Sequence, residues 1–119
     1  MDRDIVRKSS IDIELGFNKD NMPVEIKWKT SDVPPSVPMQ DAKALLINFL
    51  DRSTKDTLKI DLWTLDMQVD EMDRMVFHTL RSLADTYFRA TNNKEMAEHM
   101  QHFAHYFGEK TGILKPGDK

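Results

Sequence analysis

Four carboxylates near a strand-to-helix junction are the side chains of this chain best suited to chemistry. Asp61, Asp66, Asp70 and Glu71 all fall within the segment 57–72, and oxygen ligands that converge in this way can hold Mg²⁺ or Ca²⁺. Structural roles are also available, since Asp61 points out of a predicted strand and Asp66 can cap or turn the connector. Asp70 and Glu71 complement a helix dipole. Without EF-hand spacing or the glycine pattern of a phosphate-binding loop, the structural roles are favoured.

Three histidines, His99, His102 and His105, form a second candidate site on one predicted helix. Steps of three residues turn the helix by about 300°, so only neighbouring pairs could hold one zinc ion. Glu95 and Glu98 lie four residues before His99 and His102, which favours charge pairing on the solvated side of the helix. Simple surface histidines are therefore expected. The alternative function is a metal- or small-ligand-binding protein that uses either the Asp61–Glu71 junction or this histidine helix.

Catalytic chemistry finds little support in the remaining residues. The chain has no cysteine, which excludes disulfides, thiol nucleophiles and thiolate metal sites. No serine lies in a Gly-x-Ser-x-Gly context. We therefore predict no enzymatic activity, no catalytic residue, no metal and no cofactor.

Composition indicates one cytoplasmic domain. The 119 residues are 39% hydrophobic with a net charge of -3, which suits a single domain with its own core and argues against a nucleic-acid partner. No apolar run reaches the roughly 18 residues of a membrane span, and no signal peptide is recognisable. We expect one domain over 1–119, with an ordered core of about 8–112, a flexible N-terminal lead and a flexible C-terminal tail.

The elements that must position these residues begin with a hairpin. Apolar and polar residues alternate over 11–17 and again over 24–29, which predicts two half-buried strands. Residues 18–21 are turn-forming types, so a loop of about four residues is expected between them. Pro23 has no amide hydrogen and is expected at a strand start or an unpaired edge.

The middle of the chain predicts a helix followed by a third strand. Three prolines make 30–38 a connector. Apolar residues then recur at three- and four-residue spacing from Met39 to Leu50, which predicts an amphipathic helix. Asp51 to Asp56 is a polar turn, and Leu58, Ile60 and Leu62 form the inward face of the third strand.

The last 50 residues predict a helical hairpin, with Asn92 and Glu95 at capping-box spacing. The predicted fold is α+β, with element order β-β-α-β-α-α. Its three-stranded antiparallel sheet has the order 2-1-3, and three helices pack on one face. Trp63 points opposite to Leu62. If Trp28 and Trp63 were exposed on one sheet face, they would anchor a partner.

The segment 58–72 resembles the signature of the GldC family, small soluble proteins associated with gliding motility in Bacteroidetes-type bacteria. Its pattern is Leu-Lys-Ile-Asp-Leu-Trp-Thr-x-Asp-Met-x-Val-Asp-Glu-Met. The likeness continues in the Gly16 to Trp28 hairpin, in Lys43-Ala44 with Asp51, and in His78-Thr-Leu80, Thr86-Tyr87 and Arg89-Ala-Thr91. It covers about Lys8 to Gly112.

The resemblance implies a cytoplasmic accessory of the gliding and associated protein-export machinery that works through protein contacts. The family provides no catalytic residues to carry over. We expect partner contacts at Trp28, Trp63, Asp66 and Met67. Self-association as a homodimer is a further expectation, since a three-stranded sheet leaves two free edges, with strand one or two pairing with its copy.

Overall fold

The structure is a computed structural model that describes residues 2–117. Met1 and residues 118–119, which belong to the predicted lead and tail, lie outside the described residues. Within residues 2–117, five strands precede two helices: β1 (Ile11–Phe17), β2 (Pro23–Thr30), β3 (Gln40–Ala42), β4 (Ala44–Leu50), β5 (Thr57–Trp63), α1 (Val69–Thr91) and α2 (Lys94–Lys110). The chain divides after Met67 into two compact units, the first carrying the strands and the second the helices. The predicted α+β class is confirmed.

The first hairpin is confirmed, including its turn. β1 pairs antiparallel with β2, with Ile13 opposite Trp28 and Leu15 opposite Ile26. Asn21 adopts a positive φ of 60°, a left-handed conformation that Asn tolerates better than most residues. The Asn18 side chain accepts hydrogen bonds from the backbone amides of Asp20 and Met22, at 2.9 and 3.0 Å, which closes the turn. Pro23 is the first residue of β2, as predicted.

The predicted helix from Met39 to Leu50 is wrong. The chain forms β3 and β4 there, so the described residues contain two helices and not three. Apolar spacing alone cannot decide between a helix and a buried strand in a short apolar run. Pairing with β5 decides it, because Leu45, Ile47 and Phe49 lie opposite Leu62, Ile60 and Leu58.

The predicted sheet order 2-1-3 is also wrong. β3 pairs with β2, and β5 pairs with β4, which gives one sheet of order β1-β2-β3 and a second of order β4-β5. The prediction rested on a helical crossover before β5. Once β4 is a strand, the polar turn closes it onto the next strand by a short loop, which loses less chain entropy than a distant pairing.

The helical hairpin is confirmed, with its cap shifted by one residue. Asn93 is the N-cap of α2, and its side chain accepts a hydrogen bond from Met96 N at 3.1 Å. Asn92 is instead the C-cap of α1, in a left-handed conformation with φ of 60°. The helical unit buries Phe77 together with the small residues Ala84, Ala97, Ala104 and Gly108. Small residues let helix backbones approach closely. Beyond the helix, Leu114 N donates to Gly108 O at 2.9 Å, so Leu114 folds back onto α2.

Candidate protein interaction surface

One face of the β4–β5 hairpin is wholly apolar. Its members are three cross-strand pairs: Leu45 with Leu62, Ile47 with Ile60, and Phe49 with Leu58. Phe49 is 56% exposed, Leu58 57% and Ile60 48%. Apolar patches of this kind on soluble proteins mark sites of contact with other molecules. We call these six residues the β4–β5 apolar face.

A second apolar feature of the first unit is a shallow concavity of about 270 Å³. Ile13 and Trp28 contribute to it from the β1–β2 hairpin, and Leu45 and Ile47 from β4. Ile26, which is 2% exposed, also lines it. All of its lining residues are apolar: Ile11, Ile13, Ile26, Trp28, Ala42, Ala44, Leu45, Leu46 and Ile47.

The face of the β1–β2 hairpin away from Ile13 and Trp28 is charged, and its cross-strand pairs join charges of opposite sign. Asp12 lies opposite Lys29, and Glu14 lies opposite Lys27. Opposite charges in cross-strand pairs stabilise a sheet. The hairpin therefore presents one face to water, and Trp28 lies on the other.

The two tryptophans belong to different sheets. Trp28 lines the concavity with about a third of its side chain exposed. Trp63 is 55% exposed, and it lies opposite Ala44 on the face of the β4–β5 hairpin away from Leu62, as predicted. The condition that both share one sheet face is not met.

Asp66 accepts a hydrogen bond in a tight local turn. The hydroxyl of the buried Thr64 donates to the Asp66 carboxylate, and Thr64 N donates to Lys43 O at 2.8 Å. The Thr64 hydroxyl holds the pKa of Asp66 below its usual value; the nearby Lys43 charge lowers that pKa further, and partial desolvation opposes both. Met67 N donates to Thr64 O at 3.0 Å, so the same turn positions Met67.

The other junction carboxylates have separate partners. Asp61 forms an ion pair with Lys59 on the same face of β5. Glu71 accepts a hydrogen bond from Gln68 N at 2.9 Å and caps α1, whose first turn also carries Asp70. Negative charge is favoured at that end of a helix. Across residues 2–117, no three His, Asp or Glu side chains are arranged to hold a metal ion.

The histidine helix likewise gives the metal alternative no support. The rings of His99 and His102 lie 6.5 Å apart, edge to face. His105 Nε2 lies 3.4 Å from Glu109 Oε1, one turn further along α2. Glu95 and Glu98 do not form the predicted pairs with His99 and His102. Glu98 Oε1 instead lies 3.9 Å from Lys94 Nζ.

A polar groove of about 610 Å³ in the helical unit was not predicted from the sequence. Arg81, Asp85 and Arg89 line it from α1, and His105 lines it from α2. Arg81 lies 5.5 Å from the ring centre of the buried Phe77, and Arg89 Nε donates to Asp85 at 3.0 Å. The four-residue spacing of Asp85 and Arg89 indicates their ion pair, but no signal in the sequence shows that His105 of the other helix lines the same groove.

Comparison with known families identifies the chain. The model of the family described as gliding motility-associated protein GldC-like matches residues 23–113, from the first residue of β2 to just beyond α2. The chain belongs to this GldC-like family. The match includes both units and the proline-rich connector, and it confirms the resemblance seen in the signature segment 58–72.

No curated protein and no solved structure matches the chain. Over residues 2–117, neither helix of this GldC-like chain is long and apolar enough to cross a membrane. Association with gliding motility therefore rests on the family.

Proposed function

We propose that this chain is a non-enzymatic accessory of the gliding motility machinery, acting in the cytoplasm through contacts with other proteins and with a second copy of itself. Family membership supports the association with motility. One observation supports the proposed protein contact: the first unit exposes the apolar pairs of β4 and β5 next to an apolar concavity. Contiguous surface of this kind is typical of protein interaction sites.

The chemistry of the concavity indicates what its occupant presents. Its lining has no charged side chain, so burial of aliphatic or aromatic groups is the source of affinity. An apolar segment of a machinery protein fits this requirement. Trp28 is the proposed anchor, because Trp concentrates binding energy where it becomes fully buried.

A second contact is proposed at Trp63, Asp66 and Met67. Trp63 supplies exposed aromatic surface, and Met67 is half-buried in the turn that follows it. The carboxylate of Asp66 is exposed although it accepts from Thr64. It therefore keeps acceptor capacity for a donor on the partner.

The test compares adjacent residues of one strand that face opposite sides. Ile13→Ser places a hydroxyl in the concavity, and Glu14→Ser changes the charged face of β1. Each variant replaces the native gene in a gliding bacterium that carries this chain. Colony spreading is measured, together with the stoichiometry of gliding proteins that purify with the variant. Circular dichroism of the purified variants checks that the sheet is retained.

We expect Ile13→Ser and Trp28→Ala to lose both spreading and the bound proteins, and Glu14→Ser to keep both. For the second contact, Asp66→Asn retains an acceptor for Thr64 but removes the charge, so it should weaken partner recovery without unfolding the turn. Wild-type protein that always purifies alone would falsify the proposal. So would folded Ile13→Ser and Trp28→Ala variants that behave like the wild type.

A further inference from the structure

The outer edge of β5 has a definite set of unpaired backbone groups. Thr64 N donates to Lys43 O, and Asp51 N donates to Asp56 O, each at 2.8 Å, at the two ends of the β4–β5 ladder. The pairs Lys43–Thr64 and Asp51–Asp56 continue the residue pairing of the ladder, which runs from Ala44 opposite Trp63 to Leu50 opposite Thr57. Hydrogen-bonded pairs alternate in an antiparallel ladder, so Leu58, Ile60 and Leu62 direct their backbone groups toward β4. Those of Thr57, Lys59, Asp61 and Trp63 point outward, where β5 pairs with no strand of residues 2–117.

We propose that this edge pairs antiparallel with β5 of a second copy, about a two-fold axis that passes through Ile60. In this arrangement Lys59 of each copy lies opposite Asp61 of the other. The interface deepens the self-association named in the proposed function, and it does not depend on the identity of the machinery partner. It also moves the pairing edge from the strand one or two of the sequence prediction to the fifth strand.

Symmetry and charge together select this register. A two-fold axis at Lys59 would place two lysines directly opposite each other, and an axis at Asp61 would do the same with two carboxylates. Like charges directly opposite in a sheet are destabilising, whereas opposite charges stabilise it. Only the axis at Ile60 makes both charge pairs complementary. It also overlaps all seven residues of β5, from Thr57 to Trp63.

The apolar residues of β5 agree with the same register. Leu58 lies opposite Leu62 of the second copy, and the two Ile60 side chains meet on the axis. The result is a four-stranded sheet, β4-β5-β5-β4, in which the β4–β5 apolar face continues across the dimer. About eight backbone hydrogen bonds would form along the new edge, since each hydrogen-bonded pair exchanges two.

The charges on this edge fit pairing better than protection. An edge strand is commonly kept from pairing by a lysine that a neighbouring strand cannot satisfy. Here Asp61 neutralises Lys59 within the same strand, and both side chains are substantially exposed, 61% for the lysine and 39% for the aspartate. The edge has no net charge to repel a second copy. The two-fold axis places each of its charges opposite a charge of the other sign.

A charge exchange tests the register. Lys59→Asp and Asp61→Lys each place like charges opposite one another in the dimer, so each variant alone should dimerise at least about tenfold more weakly than the wild type. Mixing the two should restore association, because one copy then carries two acidic side chains at these positions and the other copy carries two basic ones. Lys59→Asp with Asp61→Lys in one chain should also dimerise. Sedimentation equilibrium over a wide concentration range measures all four samples and the wild type.

Matched controls come from the neighbouring loop. Lys55→Asp and Asp56→Lys make the same changes of charge outside the strand and should leave the dissociation constant unchanged. A wild-type protein of constant monomer mass overturns the inference. Single variants that dimerise like the wild type, or a mixture that does not recover, also overturn it. These results leave the Ile13→Ser experiment unaffected, so failure of this interface and failure of the partner contact are distinguishable.

Discussion

Gly108→Ala is the substitution for which the structure predicts the largest effect from the smallest change. Gly108 lies near the end of α2 and is buried. A Cβ at this position would lie 2.6 Å from Phe77 Cε1 and 2.9 Å from both Cγ and Cδ1 of Leu114. Carbon atoms normally approach to about 3.5 Å or more. The substitution therefore forces the aromatic ring, the leucine or the helix to move.

The magnitude follows from two opposing effects. Replacing Gly by Ala inside a helix stabilises it by about 1 kcal/mol when space is free. Overpacking a well-filled core costs about 1–3 kcal/mol, and the upper part of that range applies because Phe77 is only 2% exposed and has little room to move. We expect a net loss of about 1–2 kcal/mol in the free energy of unfolding. For a chain of this size, that corresponds to a melting temperature lower by about 4–8 °C.

Urea and thermal unfolding, followed by the helical signal in circular dichroism, measure the loss. Leu114→Ala removes two of the three close contacts, so it should cost less in the Gly108→Ala background than in the wild type. Gly112→Ala provides the control: nothing lies within 4 Å of its Cβ, and its φ of +80° makes the cost one of backbone strain. That cost should not be relieved by Leu114→Ala. A Gly108→Ala protein as stable as the wild type would refute the packing argument.

Three further substitutions test a local hydrogen bond or the backbone conformation at a helix end. Thr64→Val removes the hydroxyl that lowers the pKa of Asp66, so that pKa should rise toward 3.8 in a carboxyl NMR titration; an unchanged pKa would contradict the assignment. Because the folded pKa lies below the unfolded one, the Asp66 contribution to stability is present above about pH 3.8 and is lost as the pH falls through the lowered pKa. Asn93→Ala should lower stability by about 1 kcal/mol in thermal unfolding, since it removes the acceptor for Met96 N. Asn92→Gly should be neutral or stabilising, because Asn92 has a left-handed φ; a reversed order of these two effects would place the helix boundary elsewhere.

The first hairpin and the helical hairpin could be predicted because local signals specify them. Alternation in β1 and β2 fixes which face is apolar, and the loop from Asn18 carries residues that favour a left-handed turn. Asp70 and Glu71 predict the start of α1, because negative charge is favoured at a helix N-terminus. The structure places both residues in the first turn of α1. The misplaced cap at Asn92 shows the limit of such signals. Adjacent asparagines suit both the end of one helix and the start of the next, and chain geometry alone assigns each role.

The candidate site was less predictable because it depends on pairings between distant residues. The place of Trp28 near a strand end predicts a partner contact, but the concavity that Trp28 lines needs β4, where the sequence predicts a helix. The polar groove of the helical unit combines Arg81 and Arg89 with His105 from the other helix. No periodicity within one segment indicates which residues of two helices face each other.

The apolar residues that made β4 hard to predict lie on the faces of its sheet, whereas the proposed dimer extends the sheet at its edge. Ala44–Leu50 is apolar at six of its seven positions, a composition typical of a strand covered on both faces. Among the described residues, β4 lies in a sheet of two strands, and a two-stranded hairpin by itself is at best marginally stable in water. Pairing of β5 with its copy turns each hairpin into half of a four-stranded sheet. This pairing covers neither face of β4, so Leu45 and Ile47 remain available to the concavity and to the proposed partner. The dimer supplies only the additional strands that a two-stranded sheet lacks.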